Sequence, residues 1–255
     1  MTDLAVLAVA FGAIPLGAIV LDSFRGWIAA HRDLAWSGLA GVLVFLGLAH
    51  AMAYVLETKP FLFDGSSEIG SILFLAAGLS FGGVLGWVLF EKPFIRTEPL
   101  RVVWAATAFL ALHSAGDGLV LGRSFVGPGF PIVSIDFVTM SATIIHRFVE
   151  GAIVLVPAFA GALRVRSSFL LLTVSLAAIP AAFLPGFLAG AMGIAAGGGV
   201  ARTLSTFLAS MEATLALLLV VRGFVPILIS ERGPRWILWV LTGFIGISVV
   251  HFLVE

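Results

Sequence analysis

A histidine and a carboxylate stand four residues apart twice in this chain, each time inside an otherwise oily segment. They are His113 and Asp117 in ALHSAGDGLVLG, and His146 and Glu150 in IIHRFVEGAIVLVP. A separation of four places two side chains on one face of a helix, so each segment offers an imidazole and a carboxylate to the same neighbour. An ionisable group at the centre of a bilayer costs about 2.5–3.5 kcal/mol on the lower scales, and it therefore marks a polar partner or a cation. Together the four side chains form an N2O2 set. Such a set suits Zn(II) and also Fe(II), Mn(II), Co(II) or Cd(II), and the chain contains no cysteine to supply thiolate. The competing reading is that these residues only join helices through mutual hydrogen bonds. That role fits a lone intramembrane histidine; two matched pairs favour a ligand set.

Counting about 1.5 Å per residue from the segment ends, His113 and His146 come to similar depth near the midplane. Asp117 then lies a turn outward and Glu150 a turn inward on antiparallel helices. Gly116, Gly118 and Gly151 adjoin the carboxylates, and small residues there predict a close approach of these two helices. Glu212 reaches the same depth in a later segment, where it is protonated, salt-bridged to Arg147 or part of an ion pathway. Arg147 keeps its charge, so a carboxylate must answer it, Asp117 and Glu212 being the candidates. It acts either as a cation built into the site or as a strut between helices. His50 lies toward the outer end of the second apolar segment with Glu57 just beyond, placed for metal access or for interfacial snorkelling. His31 and His251 lie at segment ends and read as interfacial.

The elements that must position these residues are membrane spans. The 255 residues are 60% hydrophobic and 11% charged, with a mean hydropathy of +1.15, outside the range of ordinary soluble domains. A net charge of zero without runs of like charge gives no electrostatic basis for nucleic-acid binding. Apolar stretches of roughly bilayer length fall at 4–21, 34–56, 69–90, 102–122, 137–161, 168–188, 201–221 and 236–254. The first lacks a basic leader and precedes many others, so it reads as a span and not a cleaved signal. Connections are short, which predicts one polytopic membrane domain over 1–255. Arg25, Arg32, Lys92, Arg96, Arg101, Arg164, Arg166, Arg222, Arg232 and Arg235 fall in alternate loops, against Lys59, Arg123 and Arg202 in the others. Basic loops favour the cytoplasm, so both termini are expected outside. All six tryptophans fall near the expected cytoplasmic ends. The triplet Ala13-Ile14-Pro15 recurs as Ala178-Ile179-Pro180, hinting at an inverted repeat about the fourth and fifth spans.

At these residues the chain resembles the ZIP (Zrt/Irt-like) metal transporters of bacteria and archaea. Their fourth and fifth helices carry His-Asn-x-x-Glu/Asp-Gly and His-x-x-x-Glu-Gly motifs around a binuclear metal site. His113-Ser114-Ala115-Gly116-Asp117-Gly118 and His146-Arg147-Phe148-Val149-Glu150-Gly151, with Pro157 following, are similar to these. The stretch 38–57 is similar to the family's second helix, with His50 at its usual histidine. Ser114 stands for the usual Asn, Arg147 for a polar or acidic ligand of the second metal, and Ile179 for a Glu that often precedes the sixth-helix proline. The resemblance implies a fold of eight helices in a 3+2+3 arrangement and one metal site built from His113, Asp117, His146 and Glu150. Ser114, Arg147, Glu212 and His50 would line the pathway or support the ligands. It further implies elevator-like movement of helices one, four, five and six against two, three, seven and eight.

The expectation is an all-α integral membrane protein of the cytoplasmic membrane, not an enzyme. It would move a divalent transition metal, zinc first, toward the cytosol without ATP. Its partners would be the metal ion as transported ligand and the lipid bilayer, with no resident cofactor and no nucleic acid; a homodimer is compatible with this. The alternative is a degenerate ZIP-fold protein with a sensing, scaffolding or anion-carrying role, in which Arg147 fills the cation position. An intramembrane metallohydrolase ranks third, since two histidines and a carboxylate can activate water but no HExxH occurs.

Overall fold

The computed structural model describes residues 3–62, 68–91, 98–124, 137–191, 199–231 and 235–254. Every described element is helical. In order they are α1 (Asp3–Ser23), α2 (Arg25–Ala30), α3 (Arg32–Leu62), α4 (Glu68–Glu91), α5 (Glu98–Ser124), α6 (Phe137–Ala160), α7 (Val165–Leu176), α8 (Ala178–Ala191), α9 (Gly199–Leu218), a π turn (Leu219–Phe224), α10 (Val225–Glu231) and α11 (Arg235–Val254). Helices are what an apolar chain in lipid must form, because every backbone polar group then finds its partner within the segment. Among the described residues, five helical stretches are long and apolar enough to cross a bilayer: Arg32–Ala49, Ile72–Glu91, Leu100–Leu119, Val165–Ala191 and Thr206–Ile229. Gly12–Ser23 and Trp236–Phe252 are shorter apolar helices. Leu16, Leu73, Phe81, Leu170 and Leu238 are each more than half exposed, the surface of a chain solvated by lipid and not by water.

Two apolar stretches that look continuous in sequence are interrupted. The stretch at 168–188 divides into α7 and α8 at Ala177. Pro180 has no N–H for the carbonyl of Leu176, and its ring crowds that carbonyl, so the helix cannot run through unbroken. Pro226 similarly cannot bond the carbonyl of Arg222. The turn ahead of it widens into the π segment, where the N–H of Val225 reaches back five residues to Val220.

The principal packing pairs are α1 with α6, α5 with α8, α4 with α9 and α3 with α11, joined by α3–α9, α5–α6, α5–α9, α3–α6, α4–α5 and α6–α11. Exchange α1 with α8, α3 with α9, α4 with α11 and α5 with α6, and this set maps onto itself. The repeated triplets sit at exchange-related places. Ile14 of α1 faces Gly151, and the carbonyl of Ile179 on α8 faces Gly118.

That packing corrects one expectation. The glycines beside the carboxylates do not draw α5 and α6 together: Gly118 fits α8, Gly151 faces α1, and Gly116 borders open space. Gly122 and Gly186 continue the α5–α8 seam, where a Cβ would strike the backbone of Phe183 or Leu119. Small residues let backbones approach where lipid offers no hydrophobic drive to association. A second correction concerns Trp36, which is 3% exposed and packs edge-on against Phe224 at 5.6 Å. It belongs to the core. Trp27, Trp87, Trp104 and Trp239 are exposed, as membrane-interface indoles are.

Candidate metal centre

Three helices bring their polar residues to one place. α5 contributes His113, Ser114 and Asp117, α6 contributes Arg147 and Glu150, and α9 contributes Glu212. His113, Ser114, Glu150 and Glu212 are buried, whereas Asp117 and Arg147 are partly open, their side chains 31% and 22% exposed. The ring of His113 stacks parallel to Phe109 one turn earlier, centroids 6.3 Å apart. Its Nδ1 lies 2.8 Å from Glu212 Oε1, and its Nε2 lies 3.2 Å from Glu150 Oε1 and 4.0 Å from Asp117 Oδ2.

His113, Asp117 and Glu150 each offer one ligand atom within 4.8 Å of the others. In a tetrahedral zinc site with bonds near 2.0–2.1 Å, ligand atoms stand about 3.4 Å apart. The group therefore needs a contraction of up to about 1.4 Å to hold such an ion. The side chains of His146 and His50, and those of Glu57 and Lys59, lie outside the described residues.

Arg147 occupies the middle of this group. Its Nη1 donates to Glu150 Oε1 at 2.7 Å, to Glu150 Oε2 at 2.9 Å and to Asp117 Oδ2. Asp117 was one of the two carboxylates the sequence proposed for Arg147. The other, Glu212, goes to the far side of His113. Glu150 was missed as a partner, although its position three residues on places it on the same helix face. The formal charges are informative. Among the described residues, three carboxylates face one guanidinium and one imidazole, a donor set that could hold a further cation.

Glu212 completes an arrangement common around metals. A carboxylate on one ring nitrogen fixes the imidazole's orientation and turns the other nitrogen toward the ion. Its depth was legible from residue counting, but its partner was not. Of the remaining histidines, His31 stacks on Trp27 at 4.8 Å and His251 packs against Phe45 at 5.3 Å. In sequence comparison, no family model and no curated protein matches the chain.

Proposed function

We propose that the chain is a ZIP-like secondary transporter of divalent transition-metal cations, zinc first. It would have eight spans in a 3+2+3 arrangement and both termini outside the cytoplasmic membrane. The observation that carries this reading is the convergence, between apolar helices, of a buried imidazole, a buried carboxylate and a partly open one whose ligand atoms lie within 4.8 Å of one another. His113, Asp117 and Glu150 are the ligands, with His146 as the fourth from its motif. Glu212 holds the His113 ring so that Nε2 faces Asp117 and Glu150. Ser114 and His50 belong to the pathway. The matched packing of the two halves supports alternating access about the α5–α6 pair.

Arg147 sets the terms of binding. An arriving ion must displace the guanidinium from Asp117 and Glu150, and on the ion's release the guanidinium returns and keeps the two carboxylates from facing each other uncompensated. Zinc uptake into proteoliposomes holding the purified chain tests the function. Uptake should saturate and should be lost in Glu150→Gln; wild-type vesicles that take up no more zinc than empty ones refute it.

A second reading has an observation of its own. Arg147 contacts both carboxylates of the group, as it would in a protein where the guanidinium has permanently replaced the metal and the fold senses, scaffolds or carries an anion. Under that reading zinc does not bind wild type, and Arg147→Asn restores no uptake.

A further inference from the structure

A polar pocket of about 210 Å³ opens near the N-terminal end of α5, the helix that carries His113. It is lined by Phe90, Glu91, Arg101, Val102, Arg222, Gly223 and Pro226. Arg222 Nη2 lies 2.6 Å from Glu91 Oε1, and Arg101 Nη1 donates to the carbonyl of Phe90 at 2.9 Å. Among the described residues, two guanidinium groups and one carboxylate line the pocket. Its volume falls below the roughly 300–1,000 Å³ of sites for drug-sized molecules, yet it exceeds several times the roughly 30 Å³ of one water. It has room for a tetrahedral anion with water around it.

Depth identifies the source of that anion. Arg101 precedes His113 by twelve residues and Arg222 follows Glu212 by ten, distances of about 18 and 15 Å along their helices. His113 itself lies near the middle of α5 (Glu98–Ser124). Half of a bilayer's hydrocarbon core is about 15 Å, so both arginines stand at the level of the lipid phosphates. Trp87, one turn before Glu91, and Trp104, one turn after Arg101, are 52% and 45% exposed, which marks the same level independently. The π turn ahead of Pro226 shapes the wall that holds Arg222 and Gly223. A Cβ on Gly223 would meet Phe90 and Val102 at 3.3 Å.

We propose that this pocket seats the phosphate of an anionic phospholipid between Arg101 and Arg222, at a site separate from the metal cluster. Guanidinium recognises phosphate through paired N–H donors. Basic pockets between transmembrane helices are established positions for acidic headgroups. Glu91 is a competitor for Arg222 within the pocket. A bound lipid would tie α4, α5 and the π turn together.

The test uses the full chain purified in nonionic detergent, titrated with phosphatidylglycerol, phosphatidylcholine or inorganic phosphate and read by native mass spectrometry and thermal melting. Phosphatidylglycerol should bind saturably and raise the melting temperature, and phosphatidylcholine should do neither. Arg101→Gln and Arg222→Gln should each weaken it about fivefold, the loss of one arginine near the surface. Glu91→Gln should tighten it. If Arg222→Gln melts too early to assay, the double variant Glu91→Gln/Arg222→Gln removes the ion pair without stranding its carboxylate, and should be weaker than Glu91→Gln alone. Equal binding of both lipids, or affinity unchanged by both arginine substitutions, overturns the proposal. Inorganic phosphate competing as well as phosphatidylglycerol assigns the pocket to a soluble anion and overturns the lipid.

Discussion

His113 has a carboxylate on each ring nitrogen, and the two have different work. Glu150 shares the proposed ligand group; Glu212 stands behind the ring and orients it. Removing such a supporting partner commonly costs about 10–100-fold in metal affinity. Glu212→Ala should therefore weaken zinc binding by that order in calorimetric titration, while Glu212→Gln, whose amide oxygen can still accept from Nδ1, should recover most of it. Equal affinity in wild type and Glu212→Ala would leave Glu212 a structural residue only. Arg147→Asn separates the two accounts of that residue. With the guanidinium gone, Asp117 and Glu150 face each other uncompensated, so the metal-free protein should melt lower. Zinc should bind more tightly and raise the melting temperature further than in wild type, as linkage requires. A lower melting point with unchanged affinity would make Arg147 a strut. The contacts of His113 with Asp117 and Glu150 were legible because spacing fixes a helix face. The bond to Glu212 was not, because spacing within α9 names no partner 99 residues earlier in the chain.

At the scale of elements, the helices were legible from apolar length, while their interruptions and their neighbours were not. Pro180 and Pro226 were visible, but tertiary context decides whether a proline in a lipid-facing helix bends, breaks or widens it; Pro15 and Pro157 lie within unbroken α1 and α6. The glycines were visible too, and the wrong interface was assigned to them because sequence gives no neighbour. Their packing now separates two substitutions. Gly122→Val forces a side chain into the backbone of Phe183 and should lower thermal stability by at least about 1–3 kcal/mol through overpacking. Gly116→Ala meets nothing within 4 Å and should be neutral or stabilising by up to about 1 kcal/mol, the gain of Ala over Gly inside a helix. Thermal melts of both in one detergent check the contrast; equal effects would mean that α5 and α8 are not seated as described.

For the whole molecule, the expected orientation rests on the basic residues near the segment ends and on the tryptophans beside them. Trp36 departs from that pattern because the core packs over it. Ten basic residues at alternate ends of the apolar segments, many of them in the end turns of helices, against three at the others predict where an impermeant thiol reagent can reach. In this cysteine-free chain, single cysteines at positions 59 and 96 should label oppositely on intact cells, position 59 from outside and position 96 only after lysis. Labelling at 96 but not at 59 would invert the molecule, and with it the direction of the proposed transport.

The two halves pack alike but are not bent alike. α1 runs unbroken through Pro15, while its counterpart, α7 with α8, breaks just ahead of Pro180. Under the alternating access proposed above, each half would adopt the local form of the other, moving the break from Ala177 to Gly12 and opening the path to the opposite face. Amide hydrogen exchange should register the alternation. Locking one face with a cross-link should slow exchange on one side of the pair, near Gly12 or near Ala177, and speed it on the other.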